Sequence, residues 1–383
     1  MHMELHEVVV IGGLHHNTLG VIRSLGEAGL NPESIFVIIV NDGQNGKNLL
    51  SASKYVCMKN IAYVDSYDAI VPWLTQHANF EGYRVLICCA DGAAEAVISA
   101  KEELQTKYKL PEASMNIHEL MEKSNQSRVA VECGLSIPKY RDYEIGKDID
   151  WQIFPCIIKP YKSVVGAGKA DIRIVYSRDE LMETIRTLQA DKIQIQQYIA
   201  KEMEFQLIGC SLNKGSTIII PGFTKILRQP KNTNTGYLLY SPISDLDYDN
   251  QAVETFIRKI GYSGLFSVEF IRGKDGKDYF LEINMRNDGN AYCVKTAGVN
   301  LPYIWAYYQC NGELPESPIS VHKAVYFIPD FNDLKVAIKK VGLLKWIKEF
   351  CMAESHSIYN NKDMKPFLFE VRRQIGRIFR GRR

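Results

Sequence analysis

Apolar residues near the start of the chain fall into short unbroken runs. Val8 to Ile11 is one, closed by Gly12-Gly13, and apolar positions from Thr18 to Ala28 then recur at helical spacing. A second run, Ile35 to Val40, ends at Asn41-Asp42-Gly43; a third, Val85 to Ala90, ends at Asp91-Gly92 before a helical pattern over Ala93 to Leu104. Strands without polar alternation are buried on both faces, so this order predicts a parallel sheet flanked by helices, ending near Pro111. A helical pattern over Asn116 to Cys133 stops at Gly134 and Pro138. Strand-like runs dominate from Cys156 to Leu239, a helix is predicted over Asn250 to Ile260, and the last third is helical and basic.

Ser267 to Asn284 carries the sharpest pattern, two strand runs around Asp275-Gly276, a favoured hairpin turn. A turn centred there sets Glu269 opposite Glu282, Ser267 opposite Asn284, Val268 opposite Ile283 and Phe270 opposite Leu281, with the acids on one face and the apolar pairs on the other. Like charges directly opposed, with Cβ atoms ~5 Å apart, are destabilising unless neutralised. A divalent cation does this, and two carboxylates with the Asn284 amide oxygen suit Mg²⁺ shared with substrate phosphates better than Zn²⁺. Arg286 shares that face if the strand continues. The plainer alternative is a solvated acidic face; the flanking apolar strands and the cations elsewhere favour the metal.

Lys159 interrupts the apolar run at Cys156 to Pro160, and a lysine in such a strand needs an anionic partner. The loop that follows carries Gly166, Gly168 and Lys169 and leads to another strand. Backbone N–H groups of such a loop can close over a triphosphate. An ordinary hairpin turn is the alternative, and the spacing is not that of a Walker A loop. At Gly12-Gly13 the full dinucleotide fingerprint is absent, so plain turn glycines are the better reading. His15 and His16 are adjacent and cannot ligate one metal from a shared helical face, which leaves them solvated or facing a substrate. Lys225 and Arg228, in the run from Thr224 to Arg228, are candidates to bind a substrate carboxylate or phosphate, with solvated strand charges the alternative.

The order of these features resembles the ATP-grasp superfamily from about Asn116 to Cys310. Glu122-Lys123 with Arg128, Ala130, Gly134 and Pro138 looks like the family's first lysine segment, and Ile158-Lys159-Pro160 like its second. Gln196-Gln197-Tyr198-Ile199 looks like the adenine-contacting linker, with Gln196 where many members carry glutamate; Glu204-Phe205 looks like the ribose-binding acid. Glu269 and Glu282 to Arg286 look like the metal-ligand strands and the arginine that follows them.

The resemblance implies an α/β architecture. A Rossmann-like pre-ATP-grasp domain would occupy residues 1–115, an α+β ATP-grasp domain 116–315 with a mobile lid over about 159–240, and a helical basic extension 316–383. It also implies ATP and one or two Mg²⁺, with Mn²⁺ as a substitute. Lys123 and Lys159 would neutralise phosphates, Gln196, Gln197 and Ile199 would contact adenine, and Glu204 would hold the ribose. Glu269, Glu282 and Asn284 would hold the metal, and Arg286 would stabilise an acyl phosphate. The chain looks most like the carboxylate–amine ligase and carbamoyl-phosphate-synthase-like branch. Its part after Cys310 does not match the third domain of biotin carboxylases. A non-catalytic ATP-binding regulator is the alternative in which the fold persists without the reaction.

Charge and cysteines refine the picture only locally. The 383 residues carry a formal +2, which points to neither a nucleic-acid binder nor an acidic-ligand scavenger, but Lys365 to Arg383 carries a net +6. Basic amphipathic patterns over Leu334 to Phe350 and Phe367 to Phe379 suit either peripheral contact with anionic membrane or packing on the protein's own body. Nine cysteines without CxxC spacing, several inside apolar runs, read as reduced core residues of a cytoplasmic chain. The expected partners are a small-molecule carboxylate and an amine, an amino acid among them; a homodimer is compatible with this, and nucleic acid is not expected.

Overall fold

The computed structural model describes residues 7–40, 46–160, 173–188, 192–229 and 235–380. The glycine loop with Gly166, Gly168 and Lys169 lies outside the described residues. The first runs form β1 (Val8–Gly12), β2 (Ile35–Val40), β3 (Ile61–Val64), β4 (Arg84–Cys88) and β5 (Tyr108–Lys109). They build a five-stranded sheet in the order β3-β2-β1-β4-β5, parallel throughout. Alternation along β1 explains why its run is unbroken: Val8 and Val10 enter one core, Val9 and Ile11 another, and all four are buried.

A four-stranded antiparallel sheet follows, made of β6 (Tyr140–Glu144), β7 (Cys156–Pro160), β8 (Arg173–Val175) and β9 (Lys192–Gln197) in the order β6-β9-β7-β8. With the Arg178–Arg186 helix it encloses a core of its own around Trp151, Ile158, Leu181 and Ile195.

The third sheet has eight strands: β10 (Lys201–Leu212), β11 (Thr217–Ile219), β12 (Gly222–Arg228), β13 (Tyr237–Pro242), β14 (Gly264–Gly273), β15 (Asp278–Asn284), β16 (Val325–Ile328) and β17 (Ser355–His356). Its path runs β15-β14-β10-β12-β13-β16-β17, with β11 paired to β10. Residues 201–242 thus share a sheet with the acidic hairpin, so the span 159–240, expected to be one lid, divides between two sheets. Phe205, Leu207, Phe266 and Phe270 of this sheet share a core with Val9, Ile11 and Leu86 of the first.

The C-terminal part differs from a purely helical extension, because β16 and β17 continue the large sheet. Its helices are Asp330–Lys340, Leu343–Met352 and Lys365–Arg380; the pattern from Leu334 to Phe350 breaks at Gly342, which adopts φ +84°. The segment is pinned to the first sheet by a buried pair, Arg23 Nε to Asp363 Oδ2 at 3.0 Å. All nine cysteines are free, and Cys88, Cys89, Cys156 and Cys210 are buried as their apolar setting predicts. Burial pushes the Cys156 thiol up to about 11. Among the described residues no helix is long and apolar enough to cross a membrane.

Candidate functional site: a carboxylate pair at the edge of the large sheet

The hairpin places Glu269 directly opposite Glu282, Ser267 opposite Asn284 and Val268 opposite Ile283. Beyond Glu269 a bulge shifts the register, so Phe270 meets Phe280 and not Leu281. Both phenylalanines are buried on the face away from the acids.

The two carboxylates have different partners. Glu282 forms an ion pair with Lys123, the first residue of the Lys123–Glu132 helix. Glu269, only 6% exposed, accepts from Gln206 Nε2 at 3.2 Å and from Asn284 Nδ2 at 3.1 Å. Gln206 is held in turn, because its main-chain N–H donates to Thr224 Oγ1 at 3.0 Å and its Oε1 accepts from Asn290 Nδ2 at 2.8 Å. A row Thr224, Gln206, Glu269, Glu282 therefore crosses the sheet on one face.

Past Asn284 the chain leaves the sheet and a second network begins. Arg286 Nη2 donates to Asn284 Oδ1 at 3.1 Å, Nε to Asp91 Oδ1 at 3.0 Å, and Nη1 reaches Asp288 Oδ2 at 3.4 Å. Asp288 also accepts from Ser267 Oγ at 2.9 Å. Arg286 thus joins the end of the acidic strand to Asp91, where the helix after β4 begins. Asn17, in the first turn of the helix after β1, donates to the carbonyls of Cys89 and Asn287 at 2.9 and 2.8 Å, closing the same junction. His15 lies close enough to Arg286 that burial and the arginine charge together lower its pKa. His16 is fully buried, and burial, reinforced by His15, holds its pKa well below the ordinary 6.5. His16 is therefore a buried neutral group at the junction, whereas the His15 ring beside it is exposed.

The Lys123 helix is fixed by a residue that no pattern singles out. Gln126, 4% exposed, accepts from the Ile283 N–H at 3.0 Å and donates to the Ile283 carbonyl at 3.1 Å. Its amide continues the ladder of the edge strand β15 and so sets Lys123 beside Glu282.

The remaining candidates lie on the four-stranded sheet, at the first strand of the large one and in the link between them. Lys159 on β7 donates to Gln196 Oε1 on β9. Gln197 hydrogen-bonds with the Lys139 main chain, its N–H donating to the carbonyl at 2.8 Å. Ile199, between β9 and β10, has a main-chain N–H and C=O that bond to nothing among the described residues. Glu204 accepts from Lys201 Nζ at 2.7 Å.

Two candidates stand elsewhere. Lys225 is opposite Phe205, so it shares the face of that buried ring and not the face of Gln206 and Glu269. Arg228 is 7% exposed, and its guanidinium is held by Asp333, Nε to Oδ1 at 2.9 Å, and by Glu349 at 2.8 Å. Its charge is engaged by these acids and binds the C-terminal helices to β12.

The donor set fits a hard divalent cation only in part from the protein. Among the described residues no three acidic, histidine or cysteine side chains converge as a metal cage. Two carboxylates that need other oxygens to complete the shell are the pattern of Mg²⁺ held jointly with phosphates. Asn284 turns its amide nitrogen toward Glu269, so it would serve as an oxygen ligand only with the amide reversed.

No family model matches the chain. Among characterised proteins, the biotin carboxylase of Nostoc sp. is 24% identical over 303 residues, covering 73% of this chain and 64% of that protein. The chain thus spans slightly less than two thirds of that relative. N5-carboxyaminoimidazole synthetase from Staphylococcus aureus superposes with a TM-score of 0.64 at 15% identity, covering 88% of this chain and 86% of that one. L-amino acid ligase from Bacillus licheniformis gives 0.60 at 14% identity, covering 85% and 80%. The biotin carboxylase domain of Hydrogenobacter thermophilus 2-oxoglutarate carboxylase, solved with MgADP and bicarbonate, gives 0.61 at 18% identity, covering 85% and 74%. These are ATP-grasp enzymes, and the chain has the ATP-grasp fold.

Proposed function

We propose that the chain is an ATP- and Mg²⁺-dependent ligase that activates a carboxylate as an acyl phosphate and passes the acyl group to a nitrogen nucleophile. The observation that carries this reading is the opposed pair Glu269 and Glu282, with Lys123 against one carboxylate and Arg286 at the end of the same strand. Two carboxylates opposed on one face of the sheet, one of them buried, form a site that a divalent cation shared with phosphates would complete. When bound, Mg²⁺ would offset charge on the transferring phosphoryl group.

In this reading Lys123 releases Glu282 to the metal and turns to phosphate; its 75% exposed side chain leaves it free to move. Lys159 supplies a second cation from the four-stranded sheet, the Ile199 main chain meets adenine, and Glu204 holds the ribose. Gly166, Gly168 and Lys169 would cover the phosphates. Arg286, anchored by Asp91 and Asp288, keeps a fixed cation where anionic charge develops on the acyl phosphate. The substrate carboxylate would enter at the junction of His15, Asn17 and Arg286, between the end of β1 and the acidic strand. In this reading 1–115, 116–315 and 316–383 are the divisions of the chain, although β16 and β17 of the last extend the large sheet of the second, and the four-stranded sheet is the part that closes.

The test is trapping by hydroxylamine. Purified protein is incubated with MgATP, hydroxylamine and pools of amino acids and uronic acids, and hydroxamate and ADP are measured. Carboxylate-dependent hydroxamate supports the reading. ATP binding without ADP formation from any pool would move the assignment to a non-catalytic regulator.

A further inference from the structure

The acids of the last two helices are turned inward. Glu349, the only acid of the Leu343–Met352 helix, reaches Arg228, and Glu370, the only acid of the Lys365–Arg380 helix, is buried and accepts from Arg373 and Gln374. What remains outside is apolar and cationic.

On the Leu343–Met352 helix the inward face is Trp346, Glu349 and Phe350, with Phe350 packed on His356 at 4.6 Å between ring centroids. The opposite face should be polar on a helix that serves only its own core. Instead Leu344 is 84% exposed, Leu343 50% and Ile347 44%. With the exposed Cys351 they cover an arc of about 100° at helical spacing. Lys348 and Lys345 run along one side of that arc, with the exposed Met352 between them, and Lys339 and Lys340 end the preceding helix just before Gly342; all four lysines are exposed. The last helix repeats the theme, with Leu368 and Ile375 exposed beside Arg372.

We propose that this face docks on an anionic lipid bilayer, with Leu343, Leu344 and Ile347 entering the headgroup boundary and the lysines meeting lipid phosphates. Charge complementarity selects this occupant. A second copy of the chain in a two-fold contact would set these lysines against one another. Nucleic acid would leave an aliphatic stripe against phosphates with nothing to stack on. An interfacial helix needs an apolar stripe bordered by cations, with no outward acid. The inference is independent of the reaction proposed above, since none of these residues lies at the carboxylate pair.

The test uses the full chain, sedimented with vesicles of phosphatidylcholine alone or with about 30% phosphatidylserine. Co-sedimentation is expected with the anionic vesicles only and should fall as salt is raised. Leu344→Ser combined with Ile347→Ser should weaken it at least about tenfold with an unchanged melting temperature, because both side chains are exposed. Lys345→Gln with Lys348→Gln should weaken it as well. No binding by the native chain, or binding unaffected by either double variant, overturns the proposal. So does a concentration-dependent dimer that the Leu344/Ile347 variant dissolves while vesicles are ignored, or salt-sensitive retention on DNA without vesicle binding.

Discussion

Glu269 and Glu282 face each other across the β14/β15 hairpin, yet each has its own partners: Lys123 pairs with Glu282, while the Gln206 and Asn284 amides donate to Glu269 and the Arg286 charge acts on it. The pair is thus tolerated in the protein alone and still open to a cation. The Lys123 side chain is exposed and its contact is worth little, so a metal with phosphates displaces it at small cost.

The position of Lys123 depends on Gln126. Its amide satisfies both main-chain groups of Ile283 in a buried setting. Gln126→Ala leaves them unpaired and should cost about 1–3 kcal/mol in urea denaturation. A loss under about 0.5 kcal/mol would show that water replaces the amide and that the helix is held otherwise.

Arg228 yields a prediction opposite to the one its sequence context suggests. Arg228→Ala strands Asp333 and Glu349 without their cation and should destabilise the protein by about 3–5 kcal/mol. The KM for the carboxylate substrate should stay unchanged in the folded fraction. A sharp rise in KM at unchanged stability would restore Arg228 to the substrate site.

The buried histidine sets a pH dependence. His16 is held neutral in the fold, with a pKa well below the 6.5 it has when unfolded. Below pH 6.5 the unfolded chain takes up a proton that the folded chain refuses, so stability falls with falling pH, by up to about 1.4 kcal/mol per pH unit. His16→Asn should flatten the stability curve between pH 6.5 and 5 by about that slope. Parallel curves for variant and native chain would mean that the imidazole finds a partner when charged.

Much of this arrangement can be read along the chain, for identifiable reasons. The opposition of Glu269 and Glu282 follows from an Asp-Gly turn and strand alternation alone, both local signals. The same reasoning fails one residue later, at Phe270, because a bulge is not encoded in alternation. It fails for Lys225 because a face is fixed only once the partner strand is known, and Phe205 lies across the sheet. Arg228 meets Asp333 105 residues on, and Gln126 meets Ile283 157 residues on; buried polar partners at that separation leave no periodic trace. Asn17 and Asp91 are missed because their partners Asn287 and Arg286 lie 270 and 195 residues on, although each comes soon after a strand of the parallel sheet, where functional groups gather.

The central claim is that Glu269 and Glu282 hold the metal that accompanies ATP, and calorimetric titration of ATP with and without Mg²⁺ tests it most directly. For the native chain Mg²⁺ should tighten ATP binding at least about tenfold, and in Glu269→Gln combined with Glu282→Gln that gain should vanish while metal-free ATP binding persists. An equal Mg²⁺ gain in the double variant would contradict the account and leave the opposed carboxylates without a metal to hold.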